Sequence, residues 1–343
     1  RKTVESVPQE ITKREETPIE ITKKEDVPVE TTEKKVTPKV VENKVQIPSE
    51  IKENKQVIQE KGEILSPIKT DPGMLIKYNK NKWRTNDYEI FEWDRFPGIL
   101  FFDICDYDKQ DKFFRRLAYY VEKTGYKGKL WSNEVLEGKH GYNAHDYSSQ
   151  SLADFFNQAT KENFELYPEE ELLKKILIYN ELLIPDGKYV LPGNGGIVSI
   201  SQESATYLRN QLIAHEGWHT LFFKNEDFRN FVAAVFYTMD YNSKQFLLDY
   251  FSSQPSLGYD ITDDYLVTNE FMAYLLQQSV PEVSNYYVNK SNLYSVYTYT
   301  PELSAYIRET NAKGLEDAAA ILNDFVFDQY GIIGGDLGLV KNY

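Results

Sequence analysis

The chain has 343 residues, of which 41% are apolar and 14% aromatic, and its formal net charge is −14. That acidity argues against a nucleic-acid binder, which presents a basic face. The single cysteine, Cys105, excludes an internal disulfide framework and a cysteine-built zinc site. No run of about 18 apolar residues is present to span a membrane. The chain opens on Arg1 rather than Met, as expected of a processed chain or an excerpt.

Proline recurs at Pro8, Pro18, Pro28, Pro38 and Pro48, in units such as VPQEITKREE and TPIEITKKED. No aromatic residue precedes Tyr78, and residues 1–60 carry 12 basic and 13 acidic side chains. Such a segment buries too little apolar area to offset its ordering entropy, and proline in every unit removes a ladder donor. We expect a disordered decapeptide-repeat spacer over 1–70, able to reach on the order of 150–190 Å if near polyproline II.

Beyond the Asp71-Pro72-Gly73 turn signal the pattern becomes globular. "GILFFDIC" (98–105) predicts a buried strand. "KQDKFFRRLAYYVEKTG" (109–125) predicts a helix capped by Gly125. "KGKLWSN" (127–133) is a second strand candidate. Segments 151–162 and 168–183 predict helices. "GGIVSISQ" (195–202) alternates like an edge strand, and the chain after it is mostly helical to about 330. The expected class is α+β: a small α/β layer over 71–190, then a largely helical part over 191–343.

One helix carries chemistry. In 204–223, Leu208, Leu212, His215, His219 and Phe222 fall on one stripe, with Ser204 placed to cap its start and Lys224 and Asn225 its end. His215-Glu216-Gly217-Trp218-His219 reads H-E-x-x-H. Two imidazoles one turn apart can share one ion, and the glutamate beside the first can act as a base without being a ligand. Gly217 costs roughly 1 kcal/mol in a helix interior against alanine, so close packing is expected there. A zinc site needs a third protein ligand. Position 225 is Asn and position 222 is Phe, so no third histidine follows at metzincin spacing. Glu270, on the apolar face of a helix over 262–278, is the expected third ligand, because a buried carboxylate must be paired, protonated or metal-bound. Glu226, Asp263 and Asp264 sit at helix ends and are weaker candidates.

HEGWH followed 51 residues later by NEFMAY resembles the gluzincin branch of the zincin metallopeptidases, over roughly residues 190–280. The resemblance implies a zincin-like catalytic domain with zinc held by His215, His219 and Glu270. It implies Glu216 as general base, a peptide substrate, and an edge strand, here "GGIVSIS", that pairs with it. The aspartate that thermolysin-like members often carry four residues after the ligand glutamate is Tyr274 here, which leaves the outer partner of the metal ligands open.

An oxyanion or substrate contact is expected from His145, from Tyr297 in "YSVYTY", or from Tyr274. "HGYNAHDY" (140–147) reads as a loop lining the cleft, as a second metal point, or as a turn whose histidines bond locally. "DICDYDKQD" (103–111) lacks EF-hand spacing and reads as an acidic loop at a strand end. The sequence therefore predicts a zinc-dependent peptidase with a protein or peptide substrate, in an extracytoplasmic setting. Two rivals stay open: a zinc hydrolase of glycopeptide or cell-wall peptide, and a non-catalytic stalked adhesion module. Keeping Glu216 is unexpected in the second.

Overall fold

A computed structural model of the chain describes residues 63–123 and 125–340. The expected spacer lies outside the described residues except for its last few, and those belong to the folded part. Ile68–Thr70 forms strand β1, and Ile64 both donates to and accepts from the Tyr88 hydroxyl.

Five strands make one sheet in the order β1-β2-β3-β7-β4, where β2 is Tyr88–Trp93, β3 Ile99–Ile104, β4 Ala144–Ser148 and β7 Gly196–Ser201. The pairings are mixed: β1 with β2 and β3 with β7 are parallel, while β2 with β3 and β4 with β7 are antiparallel. Strands β5 (Leu183–Asp186) and β6 (Tyr189–Pro192) form a separate hairpin. The fold is α+β.

The pleat sorts side chains to two cores. Ile99, Phe101, Val198 and Ile200 face the C-terminal helices. Leu100, Phe102, Ile104 and Ile197 face helices α1 (Tyr107–Val121), α3 (Ser149–Glu162) and α4 (Pro168–Tyr179). A sheet covered on both faces explains why β3, apart from the ion-paired Asp103, is a continuous apolar run rather than alternating. Between α1 and α3 lies one short helix, α2 (Asn133–Leu136).

The motif helix is α5 (Thr206–Lys224), followed by α6 (Glu226–Thr238), α7 (Tyr241–Ser252), α8 (Asp264–Leu276), α9 (Val280–Ser291), α10 (Tyr294–Tyr299), α11 (Pro301–Glu309) and α12 (Lys313–Tyr330). Three devices fix α5. Arg209 donates to both oxygens of the buried Asp103 of β3 at 2.8 Å. Trp218, fully buried, donates to the Leu276 carbonyl at the end of α8 at 2.8 Å. A Cβ on Gly217 would stand 2.0 Å from Leu337 Cδ1, so the glycine answers a close approach. Among the described residues no helix is long and apolar enough to cross a membrane.

Several expectations need correction. "GGIVSIS" is not an edge strand: β7 is paired on both sides, and the serines that suggested solvent are buried. Ser199 accepts from Gln110 and hydrogen-bonds His145. The free edge on that side of the sheet belongs to β4. Residues 127–133 form no strand; the Trp131 indole bonds the Tyr126 carbonyl in a lysine-rich turn. Helix α1 starts earlier, because Asp106 caps it, and ends at Val121, with Gly125 in a left-handed turn (φ 81°) beyond it. Helix α4 stops at Tyr179 with Asn180 as its cap, short of the expected 183. Ser204 does not cap α5; its hydroxyl bonds that of Tyr107. Asn225 does end α5, its amide donating to the Leu221 carbonyl, but in an extended rather than left-handed conformation (φ −118°), and it also caps the next helix, α6. Asp103 belongs to the strand and not to an acidic loop.

Candidate active site

Helix α5 lies on the sheet against β4 and β7 and is crossed by α8. Asp263 starts α8 by accepting from the Tyr265 and Leu266 amides. The helix period then turns Glu270 toward α5. There both histidines offer Nε2 to the one carboxylate: His215 Nε2 is 3.7 Å from Glu270 Oε2, and His219 Nε2 is 3.8 Å from Oε1. The two imidazoles stand nearly perpendicular with centroids 4.8 Å apart.

These separations are too long for hydrogen bonds and suit donors placed around a small ion. Two ligands each about 2.0–2.2 Å from a tetrahedral zinc stand roughly 3.3–3.6 Å apart. Glu270 Oε2 is buried and has no hydrogen-bond partner among the described residues, an arrangement that a bound cation would relieve. His215, His219 and Glu270 can therefore hold a metal ion; Asp146, Glu216 and His219 form an overlapping second group.

The far nitrogen of the His215 ring meets the side-chain amide of Gln277, at the end of α8. His215 Nδ1 lies 3.1 Å from Gln277 Oε1, so with the proton on Nδ1 it donates to that oxygen. Asn269 lies near His219 and favours its protonated form, but His219 Nδ1 has no hydrogen-bond partner among the described residues. For His215, an outer partner of this kind fixes the tautomer and leaves Nε2 free for a metal. Gln277 thus fills the place left open by Tyr274. The Tyr274 ring packs edge-on against His215 at 5.1 Å.

Four carboxylates converge on the cluster. Asp146 points to the α5 face of β4 and meets the Glu216 carboxyl. Burial pushes both above the ordinary carboxylate range, aided for Glu216 by Asp146 and Glu270, and for Asp146 by Glu270. Glu122, which ends α1, is pushed up to about 8 by burial and by Asp146. Burial alone would lower His219, but Asp146 and Glu270 outweigh it and raise its pKa. Burial alone would raise Glu270, but His219 and His215 outweigh it and hold it below its usual range. The hydroxyl of Tyr259, on the α7–α8 connection, reaches Glu270.

Of the residues singled out in the sequence, His215, Glu216, His219 and Glu270 come together, with Tyr274 behind His215. His145 and Tyr297 do not join them. His145 is a strand residue whose ring lies on the opposite face of the sheet, 5.5 Å from Phe114, bonded to Ser199 and accepting from the Tyr142 amide. Burial lowers its pKa to about 3. Tyr297 is 49% exposed on α10, where the helix period sends Val296 inward instead, and its ring carries the Arg308 guanidinium. His140 pairs with Asp111 at the surface. Glu226 remains in the first turn of α6, and Asp263 is spent on capping. Asp146, Glu122, Tyr259 and Gln277 escaped the sequence reading. For Asp146 a period-two reading of "AHDYS" would have found an acid on the face opposite His145 and Tyr147.

No protein-family model, no curated protein and no solved structure matches this chain.

Proposed function

We propose that the chain is a zinc-dependent peptidase with a zincin-like catalytic unit, in which His215, His219 and Glu270 hold the ion and Glu216 is the general base. The observation that carries this reading is the convergence of both Nε2 atoms on the one buried Glu270 carboxylate, His215 on Oε2 and His219 on Oε1, with Oε2 lacking a hydrogen-bond partner among the described residues. Zinc bound there supplies a Lewis acid that polarises the scissile carbonyl and acidifies a water.

The chain's own residues do the rest. Glu216 takes a proton from the attacking water and hands it to the leaving amine. Asp146 holds the Glu216 carboxyl in place from the edge strand. The unpaired edge of β4 offers backbone donors and acceptors to an extended peptide. Tyr259 stands beside Glu270 with its pKa raised well above 10 by burial, so its hydroxyl stays protonated and can donate to a developing oxyanion. This replaces His145 and Tyr297 in that role.

The test is zinc content and hydrolysis measured together. The purified chain is expected to carry about one zinc. Glu216→Gln should keep the metal and lose roughly 10²–10⁴-fold in kcat, whereas His219→Ala should lose the metal. Undiminished hydrolysis by Glu216→Gln, or no zinc after incubation with it, refutes the reading.

A further inference from the structure

We propose that the substrate is an extended, hydrophilic polypeptide segment cleaved internally, and that a pocket on helix α3 binds the part of it distant from the scissile bond. This rests on the peptidase reading and adds to it the length and character of what is cut.

The metal cluster opens into a cavity of about 190 Å³ that shares Glu122, Asp146, Tyr259 and Glu270 with a second of the same size. The second shares Val121, Lys127 and Ser151 with a third cavity of about 620 Å³. The three form one path. It leaves the cluster along the free edge of β4, passes the first turn of α3, and follows one flank of that helix. Ser151, Asp154, Gln158 and Lys161 line this flank at spacings of three, four and three, the period of one helix face.

The far wall is held in place. Asn157 donates to the Val190 carbonyl and accepts from the Val190 amide, each at 2.8 Å, which clamps the β5–β6 hairpin to α3. Tyr189 of that hairpin and Tyr120 of α1 frame the pocket.

Length decides what fits. Strand β4 contributes about 13 Å at its rise per residue, and the α3 stripe contributes about 15 Å. The path is thus no longer than roughly 30 Å, room for up to eight or nine extended residues. A dipeptide would leave the far pocket empty. Charge adds a preference at the far end, where Lys127 and Lys161 outnumber Asp154. A peptide with an acidic residue several positions from the scissile bond matches it.

The experiment compares zinc-loaded full-length chain on randomised tetrapeptide and decapeptide pools. Decapeptides should be cut internally, with kcat/KM at least about tenfold higher. Lys161→Glu and Tyr189→Ala should lower the decapeptide-to-tetrapeptide ratio. Adding the decapeptide pool to the Glu216→Gln chain should slow amide exchange at 144–148 and at 189–190. Equal rates on both pools, release of terminal residues only, or cleavage without protection at 189–190 overturns the proposal while leaving the peptidase reading intact. No cleavage of either pool by zinc-loaded chain overturns both.

Discussion

The outer partner of His215 is the residue on which metal affinity is expected to turn. Gln277 offers His215 a neutral amide oxygen, where a carboxylate would pull harder on the Nδ1 proton and make Nε2 a stronger donor. Gln277→Glu should therefore tighten zinc binding by about tenfold, and Gln277→Ala should weaken it by about 10–100-fold. Competition against a chromophoric chelator measures both. Equal affinities across the three proteins would mean that Gln277 serves only to end α8. Glu122 shows the opposite logic. Burial, aided by Asp146 and Glu270, keeps its carboxyl protonated near neutrality against the lesser pull of Lys123. Glu122→Gln mimics that protonated form and is expected to fold as well as the parent at pH 6.

At the scale of elements, the position of α5 determines whether the two histidines and Glu270 meet. Gly217 lets the helix settle against Leu337, and Trp218 ties it to the end of α8. Gly217→Ala gains intrinsic helix propensity of about 1 kcal/mol but forces a methyl into Leu337. Net destabilisation of about 1–2 kcal/mol is expected from the overpacking. Adding Leu337→Ala should remove the clash, so the two changes should be non-additive in chemical denaturation. Strict additivity would show that the glycine is there for another reason. The motif helix was legible in the sequence because a 3.6 period, a glycine needing an excuse and two of only four histidines coincide in it. Glu270 was legible because a charge on an apolar helix face demands a partner. The edge strand was not. Buried serines mimic the polar half of an exposed strand, and only the pairing of β7 on both sides reveals them as internal hydrogen-bonding groups. Strand β4 was hidden because its histidine, aspartate and serines read as loop, although each is satisfied by the layer that it faces.

For the whole molecule, the metal is expected to act as a fastener between α5 and α8, which also anchor the sheet to the C-terminal helices. A ligand that binds only the folded chain stabilises it by about 4 kcal/mol at a thousand times its Kd, worth about 8 °C in Tm for a domain of this size. The sign of the pH dependence follows from the site. Zinc binding must expel protons from His219, Asp146 and Glu216, all of which hold theirs more tightly than usual. Apparent affinity therefore falls as the pH drops. Glu122 works in the same direction. Its folded pKa of about 8 exceeds its unfolded value, so the stability it contributes to the metal-free chain is full below about pH 4.5 and lost as pH rises toward 8. A nearby cation compensates its ionisation. The gain in Tm on adding zinc should therefore be larger at pH 8 than at pH 6, and Glu122→Gln should flatten the decline of the metal-free Tm over that range. Thermal scans with zinc and with chelator at the two pH values decide this. An equal gain at both would mean that the bound ion does not displace these protons, and that the four carboxylates are balanced by something other than a metal.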